Sequence, residues 1–297
     1  MPTTSRKAID ARAMSLMVGL CFLWGFSHVA AKLAAPGISL VMQGGIRSIL
    51  AACALFTWAS LRGIPLFARD GTLWHGLAAG ALFAGEFLFL FLGLAHTTAS
   101  RMVVFLYLAP CLTALGLHWF VASERLRWVQ WIGILVAFAG VVLAFGDGFL
   151  SARGTLLGDV FGVIAAVMWG ATTVLIRSTR LATCSPAKTL FYQLAVSAVA
   201  LLIASHLLAE PGVIAWSPIV IASLAYQGLV VAFASYLAWF WLLTRYRATP
   251  LAVFGFLAPM FGVVAGVVVL SEPISITFVG AVILVGAGIY LVNSTGG

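Results

Sequence analysis

The chain has 297 residues, of which 63% are hydrophobic and 8% charged, against roughly 45 to 50% apolar and about 25% charged in soluble domains. Its 16 Lys and Arg and 8 Asp and Glu cannot clothe a water-soluble core of this length, which excludes a soluble globular fold and leaves a polytopic membrane protein. The net charge of +8 comes with no basic run and no aromatic RNA motif, so nucleic acid is not an expected partner and membrane lipid is.

A bilayer core about 30 Å thick takes about 20 apolar residues per helix. After a tail over 1–13, apolar runs predict ten spans at 14–34, 38–60, 72–95, 99–121, 128–146, 155–176, 186–208, 217–243, 250–270 and 274–292, with a linker at 147–154 and a last tail at 293–297. The runs are too long for the strands of an outer-membrane barrel, which alternate over about 10 residues. The connections are short, so any site must lie among the helices. The first run is not read as a cleaved signal, because His28 and Lys32 interrupt it and Pro36 follows Leu33-Ala34-Ala35. With the first tail cytoplasmic, the tail and every second connection carry Arg6, Lys7, Arg12, Arg62, Arg69, Arg125, Arg127, Arg177, Arg180, Lys188, Arg245 and Arg247. Lys32, Arg47, Arg101 and Arg153 lie elsewhere. This positive-inside bias predicts cytoplasmic termini. Cys21, Cys53, Cys111 and Cys184 show no CxxC pair or metal spacing and read as reduced packing residues.

Sliding the chain on itself by 145 residues sets Trp24-Gly25 on Trp169-Gly170, Val29 on Val174 and Lys32 on Arg177. A shift of 149 sets Phe105 on Phe254 and Leu108-Ala109-Pro110 on Leu257-Ala258-Pro259; one of 148 sets Ser123-Glu124 on Ser271-Glu272 and Ala139-Gly140 on Ala287-Gly288. The repeat predicts two halves, 14–146 and 155–292, of five spans each. Five is odd, so the second copy enters from the opposite side. Such inverted halves exchange an inward-open and an outward-open cavity, which is the logic of a transporter.

Glu86 is the one acid well inside a predicted span, and a carboxylate there needs a partner or a proton. Arg47 and Glu86 both fall roughly 13 to 14 Å below the same face at about 1.5 Å per residue. They are expected to meet, either as a fixed ion pair between spans 2 and 3 or as a coupling pair rearranged by substrate or protonation. Gly76, Gly80 and Ala84 form a separate small-residue face of span 3 suited to close packing. Trp24, His28 and Lys32 share one face of span 1, and Trp169, Thr173 and Arg177 repeat it on span 6. Lys32 and Arg177 either snorkel to their interfaces or form an electropositive rim at each mouth; Trp24 and Trp169 either pack or line a cavity. Pro110 and Pro259 remove helical hydrogen bonds at matched depths in spans 4 and 9, giving fixed bends or hinges. Glu124 and Glu272 read as helix-end caps or surface charges.

Ten spans in two halves, Trp24-Gly25 with Lys32, the echo Trp169-Gly170 with Arg177, and Ala-Pro in spans 4 and 9 resemble the drug/metabolite transporter superfamily, EamA type, over about residues 14 to 292. Within it the chain is similar to bacterial exporters of aromatic amino acids. The resemblance implies an all-α inner-membrane protein with a central cavity lined by spans 1, 3, 4, 6, 8 and 9. Those spans also supply Phe83, Phe87, Tyr107, Tyr226, Tyr236, Trp239 and Phe254 as cavity candidates. Many rings and few buried charges suit a small neutral or zwitterionic substrate with an apolar side chain. The expected function is export of aromatic and other neutral amino acids by alternating access, with a multidrug or other small-metabolite exporter as the alternative. An intramembrane enzyme is the alternative from another class. HExxH and GxSxG are absent and His28, His75, His96, His118 and His206 show no ligand spacing, so no catalytic residue, metal or cofactor is expected.

Overall fold

Lipid offers no partner for peptide N–H and C=O groups, so each crossing segment must satisfy them internally. The computed structural model describes residues 8–96, 99–151, 156–270 and 276–294. The expectations attached to Arg6, Lys7, Arg153, Ser271, Glu272, residues 295–297 and the Arg101 side chain lie outside the described residues. The helices are α1 (Ala11–Ala34), α2 (Leu40–Leu61), α3 (Leu73–Leu94), α4 (Ala99–Leu106), α5 (Ala109–Phe120), α6 (Trp128–Ser151), α7 (Leu156–Ser178), α8 (Pro186–Leu207), α9 (Pro218–Ala225), α10 (Tyr236–Arg245), α11 (Ala248–Phe254), α12 (Leu257–Leu270) and α13 (Ile276–Ser294). Among the described residues nine segments are long and apolar enough to cross a membrane, and Trp128–Ala144 in α6 is a shorter apolar helix. Helix α6 runs on to Ser151, so the start of the expected 147–154 linker is helical.

Among the described residues, three of the expected spans depart from a plain α-helix. The fourth breaks at Tyr107–Leu108 and the ninth at Gly255–Phe256, in each case just before Pro110 or Pro259, whose missing N–H cannot close the turn. In the eighth, Tyr226–Ser235 is π-helical between α9 and α10; apolar periodicity gives no signal for such a wide turn.

Helix ends are capped by short polar side chains. Asp10 accepts from Ala13 N at 2.8 Å, Ser185 from Lys188 N at 3.2 Å and Ser217 from Val220 N at 3.3 Å. Lys188 donates to Asp70 Oδ2 at 2.8 Å and to Ala68 O at 2.6 Å, tying the loop after α2 to the start of α8. That bond, with those from Thr72, holds the Asp70 carboxyl well below the usual carboxylate range. Exposed Trp74, Trp119, Trp128 and Trp216 sit at helix ends, where tryptophan meets the bilayer interface.

The packing joins the halves of the chain. Helix α1 lies on α12, α7 on α5 and α3, α2 on α8, and α6 on α13. Small residues permit these approaches: a Cβ at Gly80 would stand 2.6 Å from Val196 Cβ and 2.8 Å from Tyr192 O on α8. Replacing Gly80 with Leu is therefore expected to overpack the α3–α8 contact and lower stability by about 1 to 3 kcal/mol. Gly19 has nothing within 4 Å, so Gly19→Ala should be neutral or slightly stabilising. Thermal unfolding in detergent distinguishes the two; equal effects would refute the close contact.

Candidate functional site

Between the two halves of the chain lies a cavity of about 150 Å³. Its wall draws on both halves: Trp24, Ser27, His28, Arg47, Phe83, Glu86, Phe87, Tyr107, Pro110 and Thr113 from the first, and Trp169, Thr172, Thr173, Gln193, Gln227, Tyr236, Trp239 and Phe240 from the second. Small residues bring α1 and α7 close to their partners here. A Cβ at Gly25 would stand 2.5 Å from Ala258 O, and one at Gly170 would stand 3.2 Å from Thr113 N.

Rings dominate the wall and brace one another. Trp24 meets Trp239 edge to face at 5.8 Å and Tyr236 at 6.2 Å between centroids. Phe83 meets Phe87 at 5.1 Å and Tyr236 at 5.9 Å, and Tyr107 meets Trp169 at 5.7 Å. Each such pair contributes about 0.5 to 1.5 kcal/mol beyond its buried area. The Trp24 indole N–H donates to Ser235 Oγ at 2.9 Å, and Ser235 donates to Val231 O at 2.6 Å. The indole is thereby pinned to the end of the π-helical segment, and its donor is spent inside the protein.

Arg47 and Glu86 are both on this wall, 5% and 9% exposed, but the expected direct ion pair is not formed. Helix α2 packs chiefly on α8 and α3 on α7 and α8, with little contact between α2 and α3, and the Arg47 guanidinium lies over the Phe87 ring, 4.1 Å from its centroid. Its Nε and Nη2 are buried with no hydrogen-bond partner in the protein. The wall thus carries one guanidinium and one carboxylate that are not joined.

Five predicted site residues are elsewhere. Tyr226 packs edge to face on Phe26 and donates to Leu23 O, and Phe254 is a buried packing residue whose carbonyl accepts the Cys21 thiol. The sequence places both among the cavity rings, but helical rotation turns them into the packing. Pro259 is buried in α12 off the wall. Lys32 is exposed near the end of α1. Arg177 is not a mouth charge: it is buried and paired with Glu124, which is buried as well and not a surface charge. Arg177 Nη1 also donates to Leu243 O at 3.2 Å, and Glu124 accepts from Ala248 N at 2.9 Å and Thr249 N at 3.4 Å. One buried knot therefore ties the turn after α5 to α7, α10 and the start of α11.

Two buried glutamines outside the expected site join further elements. Gln227 donates to Gln43 Oε1 at 3.2 Å, and Gln43 donates to Ile38 O at 2.9 Å, linking the π-helical segment to α2 and the end of α1. Their signal was visible: an amide inside an apolar span needs a partner.

The EamA-like transporter family model matches residues 11–146 and again 156–294. An uncharacterized transporter of Archaeoglobus fulgidus is 26% identical over 96% of this chain and 99% of its own. Probable amino-acid metabolite efflux pumps of Salmonella typhimurium and Escherichia coli are 25% and 24% identical, each over 91% of this chain and 90% of theirs. A solved crystal structure aligns with a TM-score of 0.80 at 20% identity, over 96% of this chain and 99% of that one, and shares the fold.

Removing Glu124 as Glu124→Ala strands the buried Arg177 charge and two backbone N–H groups, with an expected loss of about 3 to 5 kcal/mol. Arg177→Met with Glu124→Gln removes both charges and should cost less than Glu124→Ala alone. Thermal unfolding of the purified variants checks the order, and a double variant no more stable than Glu124→Ala would contradict the pairing.

Proposed function

The chain belongs to the EamA-like transporter family, and from that premise we propose that it exports amino acids, aromatic and other neutral ones, by alternating access across a bacterial inner membrane. The observation that carries the reading is the cavity: a wall of mutually braced rings holding one guanidinium and one carboxylate. An apolar or aromatic side chain fits the rings, and a zwitterion matches the balanced pair. A sugar phosphate would call for more cations than Arg47, the one Lys or Arg on the wall among the described residues. The names of the efflux-pump relatives point the same way.

The architecture proposed for this activity is ten spans in two inverted halves, 14–146 and 155–292, with both termini cytoplasmic. Its support is twofold. The family model fits the chain twice in succession. The packing also maps onto itself when the halves are exchanged: α1 on α12 corresponds to α7 on α5, while α2–α8 and α6–α13 correspond to themselves. In this reading the breaks before Pro110 and Pro259 are the hinges, and Lys32 is a positive charge at the outer mouth.

Proteoliposomes loaded with labelled phenylalanine, threonine, a sugar phosphate or a cationic dye test the proposal. Both amino acids should leave and the sugar phosphate should not; dye flux without amino-acid flux would replace it with a multidrug carrier. Trp24→Ala and Trp169→Ala should lower phenylalanine efflux by about two- to tenfold relative to threonine. Equal losses for both solutes would remove the rings from the recognition site.

A further inference from the structure

We propose that Arg47 and Glu86 are the two poles of a docking site for the charged backbone of an amino acid, the Nε–Nη2 edge of Arg47 taking the α-carboxylate and Glu86 the α-ammonium. The proposal rests on the amino-acid reading above and adds residues and atoms to it.

Burying a guanidinium without an acceptor is costly, and buried polar groups in folded proteins are almost always hydrogen-bonded. Arg47 breaks that rule at two nitrogens. Nε–H and one N–H of Nη2 point along the same edge of the planar group, the fork that accepts a carboxylate through two parallel hydrogen bonds. The aromatic face of Phe87 supports the guanidinium without consuming either donor. A substrate carboxylate supplies the missing acceptor in the plane of the guanidinium while its face stays on that ring.

Glu86 is the one carboxylate on the wall among the described residues. Arg47 is seven residues from the start of α2 at Leu40 (47 − 40), and Glu86 is eight residues from the end of α3 at Leu94 (94 − 86). At about 1.5 Å per residue, their depths along the spans are about 10 and 12 Å from these ends. These ends face the same side, because successive spans run in opposite directions. The two charges therefore stand at similar depth, unpaired with each other, beside Trp24, Phe83 and Tyr236, which take the side chain. A monocarboxylate lacking the ammonium satisfies one pole, and an amine lacking the carboxylate satisfies the other.

The test measures dissociation constants from ligand-dependent thermal unfolding of the purified full chain, for phenylalanine, 2-phenylethylamine and 3-phenylpropionate. The wild type is expected to prefer phenylalanine over either analogue by about tenfold or more, the worth of a lost charge-assisted bond. Arg47→Gln should erase the preference over phenylethylamine and leave that over phenylpropionate; Glu86→Gln should do the reverse. Arg47→Lys keeps the charge without the fork, and its preference over phenylethylamine should fall between those of wild type and Arg47→Gln. Each preference is a ratio within one variant, so differences in folded yield cancel. If Arg47→Gln does not fold, Arg47→Lys decides. A wild-type ratio in the Arg47 variant tested overturns the docking site and leaves amino-acid export standing. A wild type that binds no phenylalanine overturns the export reading, and the docking site with it.

Discussion

A helix that starts at the edge of a bilayer exposes N–H groups that lipid cannot satisfy, and the two halves of this chain supply each other's missing acceptors. Glu124, in the first half, accepts from Ala248 N and Thr249 N at the start of α11 in the second. Glu210, in the second half, accepts from Val41 N at 3.3 Å and Met42 N at 3.2 Å at the start of α2 in the first, while Ser39 and Ser205 donate to the same carboxylate. A negative charge at a helix N-terminus is further favoured by the helix dipole. These carboxylates fasten the halves at the ends of the spans, and between them the halves meet through side-chain packing and a few neutral hydrogen bonds, such as Trp24 to Ser235 and Ser197 to Ser48.

That division explains where a cavity can persist. Away from it, many buried polar side chains bond to nearby carbonyls or to one another, as Ser197 does to Ser48 at 2.9 Å and Gln43 to Ile38 O, and His75 Nδ1, Arg177 Nε and Thr249 Oγ1 are single atoms left without a partner. On the wall one side chain is unsatisfied along a whole edge. Arg47 keeps two donors without acceptors and Glu86 stands apart from it, while the surrounding rings hold their positions through edge-to-face contacts and need nothing further. A site that is rigid in its apolar part and unsatisfied in its polar part is organised for a ligand with the complementary distribution.

Most of the spans were legible in the sequence because lipid imposes a single rule, a run of about 20 apolar residues, and because proline acts locally. Pro110 and Pro259 marked the two breaks for that reason. The Gly76–Gly80 face was legible for the same kind of reason, since only a missing side chain lets Tyr192 and Val196 approach so closely. What escaped depended on rotation and on partners distant in sequence. Tyr226 and Phe254 differ from the rings of the cavity only in the direction they face. The partner of Arg177 was hidden because Glu124 sits 53 residues away in a three-residue turn, with nothing local to join them. The π-helical turn of Tyr226–Ser235 left no mark in hydropathy, yet its far end holds the Ser235 hydroxyl that fixes Trp24.

The two repeats carry matched motifs but not matched charges, and that asymmetry bears on how the cavity works. Trp24 corresponds to Trp169 and His28 to Thr173, and a shift of 146 residues sets Arg47 on Gln193. All of these line the cavity. The first half thus contributes the guanidinium, the carboxylate and the imidazole, and the second contributes neutral amides, hydroxyls and rings. When inverted halves exchange conformations, a solute held by charges in both would have to break ionic contacts on each side. In the docking site proposed above the ionic contacts belong to α2 and α3 alone, which would let the second half reshape around a solute that stays attached to the first. Glu124 and Arg177 follow the same economy: their charges cancel within the protein at the end of α7, and Arg47 and Glu86 are left as the charged groups of the wall.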